Sequence, residues 1–188
     1  MEEVDHVLNL LNDAKKASLK SDVLKLKHLS NQTIHTASIT GDKDNISVAV
    51  IIYALSKLIE RKAKYYDEEY HSFLDDYIKA IDEMIILTKK RDFSNFEGIL
   101  KNIISRADNL SENLKITVED LFRKAKINKA SKVYEHGFSL ERTANLLGIS
   151  LWELADYAGQ AGISEMPLTV TLDVKKRIKN ALDFFEKE

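Results

Sequence analysis

Cysteine is absent from this chain, proline occurs once (Pro167) and glycine six times in 188 residues. The missing cysteine excludes disulfides, thiol catalysis and thiolate metal sites, and gives no sign of an oxidising compartment. Scarce backbone breakers, beside abundant Leu, Ile, Lys, Glu and Asp, predict an almost wholly helical protein. Excess charge of one sign is missing too. The formal net charge is −2, so any attraction to nucleic acid has to come from a local patch. No apolar run approaches the length needed to cross a bilayer, and the acidic start Met1-Glu2-Glu3-Val4-Asp5 is the opposite of a signal peptide. A cytoplasmic protein without a membrane partner is therefore expected. Gly-rich phosphate loops, a nucleophile elbow and a pair of His on one helix turn with an intervening Glu are also lacking.

What is present is helical periodicity. Val4, Val7, Leu8, Leu11 and Ala14 define a first amphipathic helix, and a second starts near Ser21 with Asp22 favouring its N-terminus. Thr40 to Asn45 reads as a loop, with Asp44 or Asn45 capping a well-buried helix over Ile46 to Ile59. From Tyr65 to Lys90, the near-heptad series Tyr66, Tyr70, Phe73, Tyr77, Ala80, Met84 and Leu87 predicts the spine of an antiparallel bundle, with a dimer seam as the alternative. One more helix follows Asp92. Asn109 to Lys115 is the candidate boundary between a bundle over 1–110 and a second unit over 116–188. Thr117-Val118-Glu119-Asp120 resembles a capping box opening a helix that ends at Gly137. Pro167 to Leu172 reads as a short strand, and Asp173 as the cap of a terminal helix.

The stretch from Ser139 to Tyr157 has a pattern of its own. Ser139 is placed to cap a short helix, and Ala144 is small enough for a second helix to cross close by. Gly148 supplies a left-handed turn residue, Ile149 plugs the turn, and Ser150 caps a second helix whose Leu154 and Tyr157 face the first. These offsets predict a helix-turn-helix. The expected fold class is thus all-α: an N-terminal helical bundle, then a small tri-helical helix-turn-helix unit with one short C-terminal strand and a terminal helix.

Recognition residues in such a unit are Arg142, Asn145, Leu151, Trp152, Glu153 and Asp156. The second helix offers no cation before Gln160, and an exposed Trp beside Leu suits a protein contact better than a phosphate-lined groove. Arg123, Lys124, Lys126, Lys129 and Lys132 crowd the preceding helix without an intervening acid, and Lys175, Lys176 and Arg177 form a second cluster; these are the candidate phosphate contacts. In the bundle, His28, Asn31, Gln32 and His35 make a polar face. Its two histidines lie about 10 Å apart along the axis, too far to share one metal, so no metal and no cofactor are expected. His71 and Asp75, at i and i+4, read as surface decoration.

From about Ala130 to Gly162 the chain resembles the small prokaryotic and archaeal helix-turn-helix antitoxins of toxin–antitoxin pairs. A Ser-led short helix, Leu146-Leu147-Gly148-Ile149-Ser150 and a helix carrying Trp152 and Asp156 bear the likeness. The N-terminal part has no such counterpart. The resemblance implies a non-enzymatic regulator that forms a homodimer, binds a protein partner and acts on double-stranded DNA at a promoter. The alternatives are a protein-only adaptor with a degenerate helix-turn-helix, and a helical-bundle nucleotide- or RNA-processing enzyme using His28 and His35. Ribonucleases of that second kind place a His four to six residues after an Arg, whereas Arg61 precedes His71 by ten.

Overall fold

A helix that is apolar on nearly every side has to be surrounded, and the segment from Lys43 to Arg61 is such a helix. In the computed structural model, which describes residues 4–40, 43–62, 67–92 and 96–160, it is the third of eight α-helices. The helices are α1 (Val4–Leu19), α2 (Val23–Thr40), α3 (Lys43–Arg61), α4 (Glu68–Lys90), α5 (Phe96–Arg106), α6 (Glu112–Glu135), α7 (Leu140–Leu147) and α8 (Leu151–Gln160). A 3-10 turn at Ala107–Asn109 joins α5 to α6, and no strand occurs among the described residues. The expected strand at Pro167 to Leu172, the terminal helix after it, and Lys175, Lys176 and Arg177 lie outside the described residues.

Ile46, Val48, Val50, Ile51, Ile52, Leu55 and Leu58 of α3 are all buried, and α3 touches every other α-helix except α8 to a substantial degree. Its β-branched residues would suit a strand, but the apolar run is far longer than a strand needs. Its closest neighbour is α2. The aromatic helix α4 buries Tyr70, Phe73, Tyr77, Ala80 and Met84 of its expected stripe and packs on α1, α3 and α5. The Tyr70 hydroxyl donates to the Leu58 carbonyl at 2.7 Å and the Tyr77 hydroxyl to the Ile51 carbonyl at 2.9 Å, so both buried phenols are satisfied by the backbone of α3.

Three boundaries differ from the sequence reading. Helix α3 begins at Lys43, which places Asp44 and Asn45 within its first turn, not at its cap. Helix α4 begins only at Glu68, where the Asp67 carboxylate accepts the Glu69 N–H at 3.0 Å. Helix α6 begins at Glu112, five residues before the expected capping box. Nothing between 112 and 117 breaks a helix, and the Thr117 hydroxyl donates to the Asn113 carbonyl at 2.9 Å from inside it. The candidate domain boundary at 109–115 covers the end of the 3-10 turn and the first residues of α6, with buried apolar residues of one cluster on both sides of it. Apolar residues from Val7 to Leu154 form one cluster, in which Phe122 of α6 stacks on Tyr77 of α4 with ring centroids 5.9 Å apart.

Candidate functional site

Local chemistry dictates the corner formed by α7 and α8. Ser139 is extended, and its Oγ accepts the Arg142 N–H at 3.2 Å. At the other end Gly148 takes φ 61°, ψ 43°, and the N–H groups of Gly148 and Ile149 return to the carbonyls of Asn145 and Ala144 at 3.4 and 3.1 Å. A residue with a Cβ is strained in that region, so glycine is the natural stop. Ser150 and Glu153 then cap each other. The serine Oγ accepts the Glu153 N–H at 3.1 Å, while the carboxylate accepts the Ser150 N–H and hydroxyl at 3.1 and 2.8 Å.

Burial of Leu154 and Ala158 sets the rotation of α8. Trp152, two residues before Leu154 and therefore roughly 200° round the helix, is 83% exposed, and Leu151 is 44% exposed. Glu153 does not extend outward as a recognition residue; besides its cap it pairs with Arg123 at 3.5 Å. Hydrogen bonds from Ser150, then Arg123, hold its carboxyl below the ordinary glutamate value. Asp156 accepts the Gln160 amide at 2.9 Å. On α7, Arg142 lies over the Phe138 ring at 4.6 Å and Asn145 is exposed.

The basic row of α6 is not the open cationic face that its sequence suggests. Arg123 and Lys124 both pair with Asp120, at 3.0 and 2.7 Å, and Lys132 pairs with Glu135 at 2.7 Å. Lys126 alone of the row is half-buried and free of an acidic partner among the described residues. Lys129 is wholly buried, which removes it as a phosphate contact. Its position continues the four-residue spacing of Leu121 and Ala125 and precedes Val133 by four, so it occupies the apolar stripe of α6.

Lys129 meets one member of the polar face of α2. Its Nζ donates to Asn31 Oδ1 at 2.8 Å and sits 4.2 Å from the centre of the Tyr53 ring on α3. Burial pushes its pKa down to about 7, with the nearby Lys132 charge adding to the effect. The rest of the polar face is dispersed. His28 and Gln32 are exposed, and His35 sits beside His136 at the end of α6, ring centroids 5.1 Å apart. Desolvation and the His35 charge lower the pKa of His136.

Concavities flank this corner, among them a shallow one on α7 lined by Ser139, Glu141, Arg142, Asn145 and Leu146. A groove of about 710 Å³ between α3, α6 and α8 has Tyr53, Arg61, Asn128 and Tyr157 in its walls, and the Asn128 amide donates to the Tyr157 hydroxyl at 3.3 Å. At its edge Glu60 is held down at about 2 by hydrogen bonds from Lys57 and Lys27. Sequence reasoning missed Tyr53 as a site residue. The available signal was that it is the only aromatic residue in α3. A smaller cleft lies between α3, α5, α6 and α7. Comparison with known proteins identifies no relative: no family model, no curated protein and no solved structure matches the chain.

Proposed function

We propose that the chain is a non-enzymatic regulator of the antitoxin type, in which α7 and α8 form a helix-turn-helix that binds a protein partner. The observation that carries this reading is Trp152, 83% exposed beside the partly exposed Leu151 on a helix otherwise anchored by Leu154. An indole left in water at a helix start offers a large, rigid anchor of the kind found at interface hot spots. Helix α8 presents no cation, and Arg123, Lys124 and Lys132 are engaged with carboxylates. Both features speak against phosphate binding and for a protein contact. The enzyme reading has less support, since His28 and His35 line none of these concavities.

Fluorescence anisotropy of a labelled random DNA duplex, titrated at low and at physiological salt, tests the choice. The proposal expects no binding at either. Affinity that is strong at low salt and falls steeply with added salt would replace it with a DNA-binding regulator.

A further inference from the structure

The cleft between α3, α5, α6 and α7 has a volume of about 260 Å³ and an uneven chemistry. Ile46, Val50 and Leu146 supply apolar walls, Asn145 a carboxamide, and Lys101 and Lys126 two ammonium groups. Neither lysine has an acidic partner among the described residues, whereas Arg123, Lys124 and Lys132 on the same helix as Lys126 are all paired. Two cationic side chains at one cleft, with no acid beside them, raise its potential for an anion. An apolar cavity with a few convergent polar groups is also the usual form of a small-ligand site. At about 30 Å³ per water-sized group, there is room for a molecule on the order of ten non-hydrogen atoms.

We propose that this cleft binds a small amphiphilic anion, a carboxylate or a phosphate monoester with a compact apolar body. Lys101 and Lys126 hold the anionic head, and Ile46, Val50 and Leu146 surround the body. Charge complementarity selects this occupant: a neutral lipid leaves both ammonium groups unmatched, and a bare inorganic anion leaves the apolar walls wet. Gly148 also lines the cleft, so a bound ligand touches the turn between α7 and α8 as well as the central helix. The site goes beyond the docking role of α8 and does not depend on it.

The test is an NMR titration of the isotopically labelled full chain with octanoate, monooctyl phosphate, 1-octanol and acetate. Saturable shifts at Val50, Leu146 and Gly148 are expected with both long-chain anions, and none with acetate. Lys126→Met and Lys101→Met, which keep the aliphatic stems, should each weaken the anions about tenfold and leave 1-octanol unchanged. Tighter binding of octanoate assigns a carboxylate head, and tighter binding of octyl phosphate assigns a phosphate. The proposal is overturned if neither anion saturates, if both lysine variants bind the anions as the parent does, or if the shifts centre on Leu151 and Trp152. Since none of these readouts uses partner capture, the cleft and the docking surface fail separately.

Discussion

Replacing Lys129 by Met is expected to stabilise the protein by roughly 1–4 kcal/mol near pH 6, the range seen when buried ionic groups give way to well-packed apolar residues of similar volume. Lys129 is completely buried among α2, α3 and α6, with one carboxamide and one aromatic face for company and no carboxylate. Methionine fills the same volume, keeps a favourable contact with the Tyr53 ring, and returns Asn31, itself exposed, to water. Proton linkage gives the pH signature. The folded pKa of about 7 lies below that of an unfolded lysine, so the unfolded chain binds more protons between the two values. This group therefore costs most below pH 7, and wild-type stability rises with pH above 7, by up to about 1.4 kcal/mol per unit. Denaturant unfolding of both proteins at pH 6 and pH 9 checks it. The upper limit stays below the range where unfolded tyrosines ionise. The gap between variant and wild type should narrow from pH 6 to pH 9. A variant less stable at both pH values would show that the Lys129–Asn31 bond outweighs the burial of the charge.

Leu154→Ala is expected to cost about 3 kcal/mol, as large-to-small changes at fully buried positions do. Leu154 has no exposed surface and joins the main core cluster from a ten-residue helix that buries only one other residue, Ala158. It is thus the principal anchor of α8. Its truncation should lower the midpoint of chemical denaturation without changing the slope. A loss below about 0.5 kcal/mol, the size of an ordinary surface change, would mean that α8 is not docked as described.

How far the sequence was legible depends on whether the deciding partner was local. Ser139, Gly148 and Ser150 act within three or four residues of themselves, and the structure gives each the capping or turn geometry that its side chain implies. The apolar run of α3 was likewise readable, because a helix that is apolar on nearly every side must be surrounded. The start of α6 was not, since Thr117 has a second outlet for its hydroxyl one turn back along a helix. The basic row misled for a different reason. No acid stands between Arg123 and Lys132, but Asp120 and Glu135 reach in from either end and Glu153 from α8. Lys129 belongs with that row by its charge, whereas its spacing from Leu121, Ala125 and Val133 places it inside. The contact with Asn31, 98 residues away in sequence, had no local signal at all.

If α8 docks a protein through Trp152, quantitative capture from native lysate should depend on that one side chain. Immobilised wild-type protein and Trp152→Ala are compared at equal loading, with thermal unfolding of both as the control. Because Trp152 is 83% exposed, its removal should leave stability within about 0.5 kcal/mol. Loss of a hot-spot indole costs at least about 2 kcal/mol of binding, so any partner held through it should fall roughly thirtyfold or more in affinity and drop out of the eluate. Retention of a partner by wild type and its loss from an equally stable variant is the predicted result. Identical captured proteins for both would contradict the account and move the interaction surface away from α8.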